Sequence, residues 1–218
     1  SPINGREKKA RFFHPSPTGI DVSKWDTPLA NYMGVHGLFI FLATTFVLYL
    51  TRSRLARLVN DLAQRPALLW ASGATLLEKM RKRPDAALGW VLAVGVVVYM
   101  AATGYWTAAM LMVLLSLTFL AAKELLDRND EEMSYLLLPL VLLGFAFLLE
   151  IGVEFVRNKG DLGRFDTLFK FYLQGWVLFA LASAVILWYL GSQGFLRLRS
   201  LSVARGAWLG LLALLLIS

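Results

Sequence analysis

Long apolar runs separated by short charged loops set the pattern of this chain. The first run covers 31–50 and passes through His36, Phe39, Phe46 and Tyr49 before it meets Thr51-Arg52-Ser53-Arg54. Further runs cover 86–102, 105–122, 135–155 and 168–190, and a last one occupies 207–218. A helix needs about 20 apolar residues to cross a bilayer core, whereas half-buried helices and strands alternate apolar with polar positions. The pattern predicts an all-α, polytopic transmembrane helical bundle of about five full spans plus one truncated span. A polar opening segment and an apolar run cut short at the other end lead to the expectation of an internal segment of a longer polytopic protein.

The stretches between the runs differ in character. Residues 1–30 hold Pro2, Pro15, Pro17 and Pro28 with a cationic cluster at Arg6, Lys8, Lys9 and Arg11, and read as an extracytoplasmic aqueous loop. In 51–85, Leu55, Leu58, Val59 and Leu62 recur at helical spacing until Pro66, and the segment ends in Lys79, Arg81, Lys82 and Arg83. That predicts an amphipathic cytoplasmic helical segment lying on an anionic leaflet, with a simple cytoplasmic loop as the alternative. Only Thr103-Gly104 separates the second run from the third, so these two form an antiparallel hairpin. Residues 191–206 form another basic, cytoplasmic loop. Lysine and arginine near the span ends fix orientation. Thirteen lie on the side of 51–85 and nine on the side shared by the N-terminal loop and the loop at 156–167. That count puts both of the latter outside the cytoplasm.

Composition agrees with the pattern: 57% of residues are apolar and 13% aromatic, and the mean hydropathy is +0.59. The chain has no cysteine, which removes disulfide, thiolate-metal and thiol redox chemistry. Its net charge of +7 gathers at the ends of apolar runs. That is membrane topology and lipid-headgroup chemistry, so lipids are the expected partners and nucleic acid is not. No Gly-rich phosphate loop, Rossmann fingerprint or Ser/His/Asp set is present. The two histidines, His14 and His36, are not at metal-ligand spacing, and His36 reads as packed or hydrogen-bonded within the first span.

Candidate chemistry concentrates around 150–176. Glu150 and Glu154 lie one helical turn apart near the end of the fourth run, and Asp161 and Asp166 follow among Arg157, Lys159, Arg164 and Lys170. Ionisable groups at a hydrocarbon border are costly and mark functional candidates. Arginine clamps phosphate bidentately and lysine supplies a point charge, which suits an anionic lipid-linked substrate. A carboxylate serves there as general base or as ligand for a divalent cation. The plainer alternative is that these charges pair with one another and seal a loop between helices. Phe165, Phe169, Phe171, Tyr172 and Trp176 fit an interfacial aromatic belt, or a surface for a sugar or polyprenyl chain. Asp21, Lys24, Trp25 and Asp26 precede the first run, and are read either as part of the same outer cavity or as a capped, Trp-anchored loop.

The block Arg164-Phe-Asp-Thr-Leu-Phe-Lys-Phe-Tyr-Leu-Gln-Gly-Trp176 resembles the signature of the "YYY" membrane proteins (domain of unknown function 2298), grouped with the GT-C glycosyltransferase superfamily. Their pattern is close to Arg-Met-Asn-Thr-Val-Phe-Lys-Phe-Tyr-x-Gln-x-Trp. The match carries over Arg164, Thr167, Phe169, Lys170, Tyr172, Gln174 and Trp176, while Asp166 replaces Asn and Phe165 replaces Met. Glu154 and Asp161 are similar to the family's acidic lead-in. The resemblance implies sugar transfer from a polyprenyl-phosphate donor at the extracytoplasmic face. Arg164, Lys170, Thr167, Tyr172, Gln174 and Trp176 would bind substrate, and Glu154, Asp161 and Asp166 would be the catalytic candidates. It leaves a divalent cation open as cofactor and places the protein in the cell membrane as a multi-pass chain. The competing expectation is a non-catalytic scaffold or accessory subunit, with protein partners in a larger membrane complex.

Overall fold

Helix α1 (Leu29–Gln64) starts directly after Pro28, whose carbonyl accepts the first helical hydrogen bond from Tyr32 N at 3.1 Å. Proline lacks the N–H that a helix interior needs, yet its carbonyl serves the helix that follows. The computed structural model describes residues 20–22, 27–64, 84–128, 133–158, 165–193 and 203–217. Over these residues the chain forms α1, α2 (Pro84–Ala102), α3 (Trp106–Arg128), α4 (Met133–Phe155), α5 (Phe165–Ser192) and α6 (Val203–Ile217). Two short strands, β1 (Ile20–Val22) and β2 (Val156–Asn158), complete it. The architecture is a polytopic helical bundle.

Among the described residues, four helices hold stretches long and apolar enough to cross a membrane: Leu29–Arg57, Trp106–Asp127, Tyr135–Phe155 and Phe169–Ser192. The predicted span at 86–102 falls on α2, whose apolar part, Val91–Ala102, is shorter, as is Gly206–Ile217 of α6. Helix α1 does not stop at Thr51-Arg52-Ser53-Arg54 but runs 36 residues without a break. Polar side chains there do not end it because they find partners. The Thr51 hydroxyl donates to Val47 O (2.8 Å), one turn back, and Arg54 pairs with Glu124 of α3. Positions 51–64 of the predicted amphipathic segment are thus an extension of α1, and 65–83 lie outside the described residues.

Between α2 and α3 the turn is made at Gly104, which takes a left-handed φ of 93°. Tyr105 N donates to Met100 O (2.9 Å) and Gly104 N to Ala101 O (3.3 Å), the paired bonds of a Schellman cap. A side chain at 104 would be strained in that conformation.

Helix α4 packs between α3 and α5, α1 covers α3 and α5, α6 rests on α1, and α2 pairs with α3. The core holds Phe46, Phe147 and Phe179 with the small residues Ala121, Ala146 and Ala182. Small residues allow close helix approach in lipid, where apolar burial alone supplies little net drive. Outward-facing Val94, Val98, Phe119, Phe145 and Trp188 leave the bundle apolar outside as well, which is the surface a bilayer covers. Trp208 donates its indole N–H to Thr45 Oγ1 (3.0 Å), fixing α6 to α1.

The strands were not anticipated by an all-α reading. They are antiparallel, with Ile20 opposite Asn158, Asp21 opposite Arg157 and Val22 opposite Val156. Three residues carry too little periodicity to be seen in sequence. Their pairing satisfies extended backbone where α4 ends and brings the N-terminal loop to the same end of the bundle as the loop after α4.

Candidate functional site: a buried polar layer beneath the motif helix

Glu150 and Glu154 of α4 are each 1% exposed. A carboxylate removed from water costs several kcal/mol unless it is paired, so the partners of each decide what it does. Glu154 is fully engaged. Thr27 donates to it twice, from N to Oε2 (2.9 Å) and from Oγ1 to Oε1 (2.6 Å). The Tyr172 hydroxyl donates to Oε1 (3.0 Å). Thr107 Oγ1 in turn donates to Thr27 O (2.6 Å). One carboxylate thereby ties the entry of α1, the start of α3, the end of α4 and the first turns of α5.

One turn deeper, His36 Nε2 lies 3.2 Å from Glu150 Oε1, with both side chains essentially inaccessible. The contact is set by distance rather than alignment, since neither atom completes a hydrogen bond among the described residues. Tyr32 stacks on the imidazole (centroids 4.5 Å apart, 17° between planes) and its hydroxyl faces Glu150. Tyr172 and Phe179 meet the same imidazole edgewise, at 5.2 and 5.9 Å. From α5, Gly175 comes directly against Glu150. A Cβ there would collide with Oε1 and lie 3.2 Å from Cδ. The glycine is the reason that a carboxylate fits between these helices.

The predicted site residues divide between the faces of α5. Tyr172 points inward to Glu154. Lys170 and Gln174 are exposed, and Trp176 is 46% exposed, packed edge-on against Phe39 at 5.2 Å. Asp166 and Thr167 fall in the first turn of α5, and their side chains lie outside the described set. Asp161 and Arg164 lie outside the described residues altogether, as do His14, Lys24, Trp25 and Asp26. The backbone of Asp21 is in register with that of Arg157.

Thr27, Tyr32, Thr107 and Gly175 belong to the layer and were not singled out by sequence reasoning. From sequence His36 reads as packed or hydrogen-bonded and Glu150 as sharing a face with Glu154, with no link between the two. A histidine in one apolar run and a glutamate in another were the available signal, because two such groups in hydrocarbon gain by meeting. The described residues contain no group of three or more His, Cys, Asp or Glu able to hold a metal ion. The oxygens of Glu154 are taken up by Thr27 and Tyr172, whereas Glu150 faces His36 and Tyr32 without a completed hydrogen bond among the described residues.

Fold and polar layer together define a multi-pass integral membrane protein whose apolar spans enclose paired ionisable groups near one end. The chain belongs to a family described as Uncharacterized membrane protein (DUF2298), whose profile matches residues 10–179. That range takes in every residue of the layer. Comparison with curated proteins returned no match, and comparison with solved structures returned none.

Proposed function

We propose that this chain is part of a GT-C-like glycosyltransferase that moves a sugar from a polyprenyl-phosphate donor at the extracytoplasmic face. The observation that carries the reading is the division of α5: Tyr172 and Gly175 lock its inner face to two buried carboxylates, while Lys170, Gln174 and Trp176 stand on its exposed faces. A helix held that firmly positions cationic, amide and aromatic groups for a phosphate and its prenyl chain. In the reaction the acceptor hydroxyl oxygen bonds to the anomeric carbon as the bond from that carbon to the phosphate oxygen breaks. The lipid phosphate leaves with the bonding pair, and the acceptor proton passes to a carboxylate. Arg164 and Lys170 hold the phosphate, and Asp161 or Asp166 takes the proton. Glu154, with its oxygens already bonded, acts through Tyr172 as a positioning residue.

The test is transfer to an acceptor in proteoliposomes loaded with a polyprenyl-phosphate sugar. Arg164→Ala and Lys170→Ala should each lower transfer by about 100-fold or more, with melting temperature unchanged. Transfer at the unmodified rate in both would sink the assignment. The full set of internal partners around Glu154 also suits a non-catalytic subunit. That reading predicts co-purifying protein chains and no retained polyprenyl lipid in native mass spectra.

A further inference from the structure

The opposite end of the bundle carries a second polar site. Arg52, Ser53, Arg54 and Arg57 of α1 and Glu124 and Asp127 of α3 line an open cavity of about 400 Å³. Its charges are unequally used. Arg54 Nε sits 2.8 Å from Glu124 Oε2, and Arg54 Nη2 lies 3.6 Å from Asp127. Ser53 Oγ donates to Glu124 Oε1 (3.3 Å). Among the described residues, Arg54 is thus the guanidinium that meets both carboxylates. Arg52 and Arg57 have no carboxylate partner among the described residues, and both are held ready. The Arg52 guanidinium lies 4.3 Å above the Tyr49 ring, and Arg57 Nε donates to Ser53 O (3.1 Å).

Among the described residues, three guanidiniums and two carboxylates line the cavity. From Tyr32, in the polar layer, to Arg52 the helix rises about 30 Å, which is the thickness of a hydrocarbon core. The cavity is thus set at headgroup depth in the other leaflet, with apolar spans directly beneath it.

We infer that this cavity binds the phosphodiester of an anionic phospholipid headgroup, clamped by Arg52 and Arg57. A phosphodiester carries one negative charge, which answers the two arginines that have no carboxylate partner among the described residues. Planar guanidiniums with free Nη donors grip its oxygens in pairs. The site stands apart from the polar layer and does not depend on the proposed sugar transfer.

The experiment is native mass spectrometry of the chain in detergent, titrated with phosphatidylglycerol or phosphatidylcholine. One phosphatidylglycerol should be retained in preference to phosphatidylcholine. The double variant Arg52→Gln/Arg57→Gln should weaken retention by about 30-fold, the factor expected of two basic residues at an anionic surface. Lys123→Gln removes a charge at the same end but outside the cavity, and should change retention by less than about twofold. Equal retention of phosphatidylcholine overturns the inference on the unmodified protein alone. So does a loss with Lys123→Gln as large as with the double variant, which would mean diffuse attraction. Displacement of the lipid by millimolar inorganic phosphate would instead assign the cavity to a soluble phosphate ester and overturn the lipid.

Discussion

Glu154 shows how one side chain can be read in two ways until its partners are known. At a membrane border a glutamate invites a catalytic role, but three hydrogen bonds from Thr27 and Tyr172 commit its oxygens. Bonds to a charged acceptor contribute about 1.5–3 kcal/mol each. Glu154→Gln keeps the shape, removes the charge and leaves one oxygen for three donors, so it should lower stability by about 2 kcal/mol. Denaturation in detergent micelles measures this, and an unaltered midpoint would mean that the bonds contribute nothing. The Glu150–His36 contact is of another kind, with buried polar atoms lacking full hydrogen bonds. It holds two ionisable groups against each other inside an apolar wall.

Among the elements, the approach of α5 to α4 is the closest constrained. Gly175→Ala drives a methyl group into the Glu150 carboxylate and should cost about 1–3 kcal/mol. In a Glu150→Ala background the same change should cost less than about 0.5 kcal/mol, since the obstacle is gone. Equal cost in both backgrounds would locate the strain elsewhere. The same interface marks the limit of legibility. The apolar runs at 105–122, 135–155 and 168–190 fall on α3, α4 and α5, because lipid forces every backbone group into a helix. Hydropathy separated 51–64 from the first run as a segment lying on the leaflet, whereas hydroxyl back-bonding and Glu124 sustain one helix through Thr51 to Arg54. Tyr172 was reachable through a motif. Thr27, Tyr32, Thr107 and Gly175 were not: Thr27 and Thr107 act on residues 127 and 80 positions away, Tyr32 on a helix far along the chain, and Gly175 through the absence of a side chain.

For the whole molecule the open matter is which way the bundle faces. The absence of cysteine makes single-cysteine labelling clean. Lys170→Cys, near the start of α5, should react with a membrane-impermeant maleimide in intact cells. Lys123→Cys, near the end of α3, should react only after permeabilisation. The reverse pattern would invert the orientation, and labelling of both from one side would break the up-and-down arrangement of α3 and α5. Neither depends on the enzyme reading, so the topology stands or falls alone.

The unbroken run of α1 has a mechanical meaning. At 36 residues it is a rod of about 54 Å, well beyond the roughly 30 Å of hydrocarbon it crosses. Its first turn is pinned beside Glu154 and its far portion stands past Arg52. A pivot of about 5° at the pinned end sweeps Gln64 through roughly 5 Å by lever geometry alone. The ladder of hydrogen bonds that begins beside Glu154 is the same one that presents Arg54 to Glu124, so both ends of the bundle are built on one continuous element.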